Sequence, residues 1–301
     1  MILVAGGQLD PNIGALLRRM LQRRTLFRDL LVGPDLIPRL TIDLQKNTLS
    51  LNGELFTPSA CFIRHDVFLT EGSIYQTPIV ALNWFYAIRG WTLSQSNIRS
   101  FNSHSTIGDN NKIQNLKLAR QAGLPVPDTI VTNELNQVGA CDETSLIQKP
   151  VTGGEYTTTL HDLIEATPSK NATFPRFVQK KLRRPELRIY RVGCEQFAFS
   201  LVSDNLDYRQ DQHVQIRAIE VPQSIGERLT CLCELIGLDF AAADFMEDPL
   251  SGELQFLEIN SQPMFVAFDR VLGGRLCDAI IDHLSENRQV DRGIQEVSNE
   301  K

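Results

Sequence analysis

The stretch DFAAADFMEDPLSGELQFLEINSQPMF, residues 239–265, decides how the chain folds. Residues 240–246 read as a buried strand that delivers a single acid, Asp244, and residues 249–253, with Ser251-Gly252, read as a hairpin turn. Residues 254–259 return as a neighbouring strand. Strand side chains repeat every second residue, so Glu258 and Asn260 share one face, and antiparallel pairing brings Asp244 opposite them. Two carboxylates and an amide oxygen are hard, oxygen-only ligands, which suit magnesium or manganese better than zinc. The same letters also describe a half-exposed hairpin with solvated acids, so the choice lies upstream.

Residues 146–150 (LIQKP) read as a strand presenting Lys149, and residues 151–156 (VTGGEY) as a glycine loop around Gly153 and Gly154 before a strand at 157–160. A strand lysine beside a loop that can lay its N–H groups around phosphate oxygens makes a phosphate cradle. GxxxxGK[ST] is missing, which excludes a P-loop, and a plain Gly-Gly hairpin fits equally. Further upstream, Asp109 or Asn110 can cap a helix carrying Ile113, Leu116, Leu118 and Ala119, which stops at Gly123 because Pro125 and Pro127 forbid continuation. Lys112 falls in its first turn, against the helix dipole, and a phosphate at that helix end would account for it.

Downstream of the glycine loop, residues 174–181 read as a strand, and Pro185-Glu186-Leu187-Arg188 leads into strands at 189–192 and 197–202. Arg188 and Arg209 offer two guanidinium forks able to hold phosphoryl oxygens bidentately, although each alone reads equally as a surface ion pair. Residues 225–236 form an amphipathic helix ending at Gly237, and residues 272–284 a closing helix.

The N-terminal third opens with a strand at 1–5, Gly6-Gly7 and a helix at 13–23, one α/β unit without the GxGxxG spacing of a nucleotide fingerprint. Short strands follow at 40–44 and 48–51, and a buried strand at 60–64 ends in Arg64-His65-Asp66. Polar residues at such a strand end often line a cleft, so His65 is a candidate substrate contact beside its structural reading. An aromatic-bearing helix at 77–90, with Trp84, Phe85 and Tyr86, reads as core packing.

The 301 residues allow two or three units, each with its own core. Hydrophobic content of 42% and charged content of 22% are those of an ordinary globular protein. A net charge of -6 argues against broad nucleic-acid binding and against anionic membranes. No apolar run reaches the ~20 residues of a spanning helix, and a cytoplasmic location is expected. Six scattered cysteines, with Cys231-Leu-Cys233 at the wrong spacing for zinc, read as reduced thiols. The expected class is α+β behind an α/β N-terminal domain: residues 1–100, a small subdomain at 101–173, a metal-binding subdomain at 174–285, and a frayed polar tail at 286–301.

Taken together, NKIQNLKLARQAGLPVPDT, LIQKPVTGGEY, FVQKKLRRPELRIYRVG, LDYRQD and DFMEDPLSGELQFLEIN resemble the ATP-grasp ligases, over roughly the whole chain. Within that superfamily the chain looks similar to the branch holding the ribosomal-protein-S6 glutamate ligases and the microviridin-type (graspetide) peptide ligases. The resemblance implies an ATP-grasp fold, in which two α+β subdomains clamp ATP behind the N-terminal domain. It implies Lys112 and Lys149 on the phosphates, residues 151–156 as a lid loop, and Lys180, Lys181 and Leu182 as the hinge whose backbone reads adenine. Glu186 would hold the ribose, Arg188 and Arg209 would stabilise the transferring phosphoryl group, and Asp244, Glu258 and Asn260 would hold two magnesium ions, with manganese as a substitute.

Two departures stand out. Gln179 is followed by Lys180 where the family commonly has Gln-Glu, and Ser261-Gln262-Pro263-Met264-Phe265 replaces a Pro- and Gly-rich segment where the acceptor approaches. The implied activity is ADP-forming ligation of a carboxylate to an amine or hydroxyl through an acyl phosphate, on a peptide substrate. A ligase for small amino acids and a non-catalytic ATP- and peptide-binding protein are the alternatives. The implied partners are a peptide or amino-acid substrate, no nucleic acid and no membrane, with a homodimer as one option.

Overall fold

Along the first hundred residues run β1 (Ile2–Gly7), α1 (Pro11–Gln22), β2 (Phe27–Val32), β3 (Leu40–Asp43), β4 (Thr48–Leu51), β5 (Glu54–Leu55), β6 (Ala60–Ile63), α2 (Pro78–Leu93) and β7 (Arg99–Ser100). The computed structural model describes residues 1–34, 36–68, 78–105, 111–135, 138, 145–152, 156–167, 169, 171–203 and 214–286. β1 is an inner strand of a parallel sheet ordered β2-β1-β6-β7. Its run ILVAGG is apolar without alternation because both faces are covered. Ile2 and Val4 meet Ile13, Leu16 and Met20 of α1, whereas Leu3 and Ala5 meet Ile88 and Trp91 of α2. The meander β3-β4-β5 closes the second core with Leu49, Leu51 and Phe56.

The chain continues through α3 (Lys112–Gln121), β8 (Thr129–Glu134), β9 (Leu146–Pro150), β10 (Thr158–Thr159), α4 (Leu160–Glu165) and β11 (Asn171–Lys180). It ends with β12 (Arg183–Val192), β13 (Glu195–Val202), β14 (Gln215–Ile219), α5 (Gln223–Ile236), β15 (Phe240–Glu247), β16 (Leu254–Asn260), α6 (Val266–Val271) and α7 (Arg275–Ser285). A small antiparallel sheet, β10-β9-β11-β8, carries α4 on one face. A larger antiparallel sheet, β14-β13-β12-β15-β16, is covered on both faces. Leu187, Ile189, Ala241, Ala243 and Phe245 point to α3 and α5. Tyr190, Val192, Phe240 and Ala242 point the other way, into a core shared with α1, α6, α7 and the N-terminal sheet. There Phe62, Phe101, Phe240 and Phe265 meet mostly edge to face at centroid distances of 5.0 to 6.3 Å, so the N-terminal domain and the large sheet share one apolar interior.

Several elements differ from the sequence reading. β11 begins at Asn171 and pairs with β8 and β9, so the small sheet gives way to the large one between Lys180 and Arg183, and the expected division at 174 falls inside a strand. The strand expected at 157–160 stops at Thr159, because the Thr159 hydroxyl accepts the Asp162 N–H at 3.1 Å and caps α4. The closing helix expected at 272–284 is α7, which starts at Arg275, and a further helix, α6, precedes it. Gly273 and Gly274 take φ of 64° and 99°, where a side chain is strained, and the chain turns between α6 and α7. α3 is capped by Asn111, and the alternatives Asp109 and Asn110 lie outside the described residues. So does the tail from residue 287 onward.

The domains are tied where the chain leaves the first sheet. Asn102 sits at φ 56°, an αL position that asparagine tolerates better than most residues. Its Oδ1 accepts the N–H groups of Asp239 and Phe240, both at 3.0 Å, while its Nδ2 donates to the carbonyls of Phe240 and Ser261, both at 2.9 Å. Asn102→Ala leaves those four backbone groups without this partner, and we expect a loss of roughly 3 kcal/mol or more in urea unfolding. Asn102→Gly should recover only the αL strain, about 1 kcal/mol. A loss below about 1 kcal/mol for the alanine variant would contradict this role.

Candidate active site

The floor of the site is one row across the large sheet. Arg188 on β12 is in register with Asp244 on β15, and Asp244 with Glu258 on β16. Glu186, two residues before Arg188, faces the same side, as does Asn260, two residues after Glu258. Strict alternation would also put Phe256 on this face. A bulge prevents that: the register passes from Asp244↔Glu258 to Phe245↔Phe256, so Leu257 is left unpaired and lines the cavity while Phe256 drops into the opposite core.

The Arg188 guanidinium grips Asp244 with two bonds, Nε to Oδ1 at 2.6 Å and Nη2 to Oδ2 at 2.7 Å, and lies 3.9 Å from Glu186. Lys112 Nζ reaches Glu258 Oε2 at 2.8 Å, and Asn260 Nδ2 donates to Glu258 Oε1 at 3.4 Å. Lys112 therefore stands against the helix dipole because a carboxylate faces it across the groove. Burial pushes the Glu186 carboxyl up to about 8, with the Asp244 charge adding to the shift. Burial also raises Asp244, against the opposing charge of Arg188. It would raise Glu258 too, but the charges of Lys112 and Lys149 overcome it and hold that group at about 2.

The small sheet roofs this floor. Lys149 on β9 lies 5.8 Å from the Phe177 ring centroid, and burial lowers its pKa while Glu258 works in the opposite direction. Its ammonium makes no hydrogen bond or ion pair with any described residue. A recessed ammonium without a carboxylate partner is a ready site for an anion. Lys180, Lys181 and Leu182, at the crossing from β11 to β12, line the same cavity; Lys180 Nζ holds Asp248 at 2.9 Å, and the Lys181 N–H donates to the Ser145 carbonyl at 2.8 Å. The whole cavity has a volume of about 1030 Å³.

Its third wall is the strap Ser261–Gln262–Pro263–Met264, which with Phe265 is held at several backbone groups. Asn102 holds the Ser261 carbonyl, Arg64 Nη1 donates to the Pro263 carbonyl at 2.8 Å, and the Tyr190 hydroxyl donates to that of Met264 at 2.5 Å. Asn12 Oδ1 accepts the N–H groups of Phe265 and Val266 at 2.7 and 2.9 Å. Arg64 is itself fixed by a buried ion pair with Asp10, Nε to Oδ2 at 2.9 Å, and Asp10 caps α1 through the Asn12 N–H.

Lys112, Lys149, Lys180, Lys181, Leu182, Glu186, Arg188, Asp244, Glu258 and Asn260 thus all line one cavity. Glu186, the expected ribose contact, stands beside Arg188 and Asp244. Gly153, Gly154 and Arg209 lie outside the described residues. Asp10, Asn12, Asn102 and Tyr190 escaped the sequence reading. Only Asp10-Pro11 carried a signal, an N-cap followed by proline at the first helical position.

The donor set fits a divalent cation: all its ligands are oxygens, and Asp244 and Glu258 lie side by side with like charges that a cation would reconcile. Among the described residues, no three histidine, cysteine, aspartate or glutamate side chains are grouped to hold a metal by themselves, so the amide of Asn260 would have to complete such a site.

No family model matches the sequence, and no curated protein does. Solved structures do match in fold. The ATP-grasp ligase PsnB, complexed with its minimal precursor, is 24% identical, with 94% of this chain and 98% of that one covered at a TM-score of 0.75. An ATP-grasp ligase of Chryseobacterium gregarium associated with ribosomally made, modified peptides, in complex with ADP and a leader and core peptide, is 20% identical over 94% and 96% at 0.73. The macrocyclase MdnC of Microcystis aeruginosa, bound with its precursor peptide MdnA, is 20% identical over 95% and 99% at 0.69. The chain has the ATP-grasp fold.

The raised Glu186 carboxyl has a measurable consequence. Between the ordinary 4.5 and about 8, the folded protein keeps a proton that the unfolded chain has lost, so stability falls as pH rises through that window. Glu186→Gln, which mimics the protonated form, should flatten this decline, leaving the variant more stable than the parent at pH 8 and nearly equal to it below pH 4.5. Parallel pH–stability curves would contradict the assignment.

Proposed function

We propose that this protein is an ATP-dependent, ADP-forming carboxylate ligase acting on a peptide. The observation that carries the reading is the row Arg188–Asp244–Glu258 under the recessed ammonium of Lys149: fixed cations above and beside paired carboxylates, in a cavity of about 1030 Å³. A triphosphate supplies an anion for Lys149, whose ammonium has no carboxylate partner among the described residues, and its magnesium would add a counter-charge between Asp244 and Glu258, each of which already faces one basic side chain. The solved ligases of the same fold support this, since PsnB was also obtained with its minimal precursor, Mg and ADP.

In this reading, a substrate carboxylate attacks the γ-phosphorus and ADP departs, leaving an acyl phosphate. An amine or hydroxyl then attacks the acyl carbon, phosphate departs, and an amide or ester remains. Lys149 and Lys112 neutralise the phosphate chain, and Arg188, its orientation fixed by Asp244, directs its remaining N–H groups toward the transferring group. Magnesium held by Asp244, Glu258 and Asn260 would supply charge neutralisation at the phosphate oxygens. Lys181 and Leu182 border the base through the backbone of the crossing, and Glu186 belongs with the phosphate-facing groups. No serine, cysteine or histidine nucleophile is needed, because positioning and electrostatics carry the step. Gly153, Gly154 and Arg209 remain part of the proposal by resemblance alone. The pinned strap gives the acceptor a fixed wall.

Two measurements test the reading. With Mg-ATP, a pool of peptides containing aspartate and glutamate should stimulate ADP release, and added hydroxylamine should divert the acyl phosphate to a hydroxamate. ATP binding without stimulation by any peptide would favour a non-catalytic protein, and stimulation by free amino acids alone a small-molecule ligase. Glu258→Gln and Lys149→Met should each lower turnover by roughly 10²-fold or more. Unchanged rates at saturating magnesium would remove the cluster from the mechanism.

A further inference from the structure

The cavity continues past Arg188 to a second end of different character. One wall is α2, with Leu82, Phe85 and Tyr86, and the other is Met264 on the strap. His65 sets the two side by side: its N–H donates to Gln262 Oε1 of the strap at 2.9 Å, and its ring stands edge-on to Phe85 at 5.7 Å between centroids. Tyr86 is 56% exposed and Met264 45% exposed, so large apolar surface is kept open to water at a cost that burial by a ligand would recover. Met264 cannot turn away with its backbone, since its carbonyl is bound by Tyr190 and the next N–H by Asn12.

Charge at this end is already matched. The Arg64 fork is engaged by Asp10 and by the Pro263 carbonyl. Burial lowers the His65 pKa, which keeps the ring neutral at pH 7. His65 Nε2 has no hydrogen-bond partner among the described residues. None of the acids and lysines that line the cavity stands on α2 or on the strap. At about 1030 Å³ the cavity is also at the upper limit for one drug-sized ligand, which leaves room for a second group beside a nucleotide.

We infer that this end is a specificity slot for an uncharged apolar side chain, so that the peptide substrate carries a leucine- or phenylalanine-like residue next to its reacting carboxylate. The inference rests on the ligase reading and narrows it. Continuity with the phosphate end favours a side chain flanking the reacting group over a separate partner. A charged flank would be desolvated here with no counter-charge among the described residues to meet it, and a short hydroxyl-bearing one would leave the apolar walls uncovered.

The neutral dye PRODAN, whose emission shifts in apolar surroundings, can be bound to the intact protein without nucleotide and displaced with blocked tripeptides acetyl-X-Glu-X-amide, where X is Leu, Phe, Ser or Lys. The Leu and Phe peptides should displace it at concentrations at least about ten-fold lower than the Ser and Lys peptides. In Tyr86→Ser/Met264→Ser, both sites being exposed and the melting temperature serving as a folding control, that advantage should shrink below about three-fold. Tyr86→Ser alone serves if the double variant does not fold. Equal displacement by all four peptides, no dye binding, or a ten-fold preference that survives the substitutions would overturn the slot. The thermal shift given by Mg-ATP reports separately on the nucleotide end: its absence alongside an intact peptide preference would sink the ligase reading and leave the slot standing.

Discussion

The bidentate grip of Arg188 on Asp244 is the constraint around which the site is arranged. A guanidinium and a carboxylate are paired on a buried sheet face, with a second carboxylate one strand away and a third two residues along. Removing such groups from water costs several kcal/mol per ion, and the pairs Arg188–Asp244 and Lys112–Glu258 still leave Glu186 as a further buried acid. The cluster is therefore poor economy for stability. Its physical sense is preorganisation: charges fixed before a ligand arrives need not reorganise when charge moves. The raised carboxyls of Glu186 and Asp244 are what a binding site for cations and anions looks like before either has entered.

What holds that floor in place lies outside it. The large sheet is buried on both faces, with α3 and α5 below and a core shared with the N-terminal domain above. Along the strap, side chains from distant parts of the chain, Asn12, Arg64, Asn102 and Tyr190, satisfy backbone groups that no sheet or helix would satisfy. A segment that departs in composition from the ligases it resembles is thereby made rigid, and the N-terminal domain becomes a wall of the cavity rather than an appendage. The apolar slot follows from the same pins, because they fix the backbone of Met264 while α2 supplies the facing rings.

The fold was legible where the physical period was unambiguous. The hairpin of β15 and β16, the glycine stop of α5 and the apolar run of β1 all follow from alternation, left-handed glycine and two-sided burial. It was less legible where one residue redirects the chain. Thr159 turns a strand into a helix cap, Gly273-Gly274 turns the chain between an unexpected α6 and α7, and β11 belongs to the small sheet through pairings no local pattern encodes. Lys112 looked anomalous in sequence because its carboxylate partner is Glu258, on a strand more than a hundred residues away.

The sequence by itself determined the residue types of the site and their strand positions, because side-chain alternation and hard-ligand chemistry are local properties. It also determined the resemblance to the ATP-grasp ligases, since several motifs occur in one order. Only the tertiary structure decided that Glu186 stands beside the Arg188–Asp244 pair, that a bulge at Leu257 keeps Phe256 off the floor, and that Asp10, Asn12 and Arg64 lock the strap. Those are matters of register and of long-range hydrogen bonding, and they exist only once strands distant in sequence have been brought within 3 Å of one another.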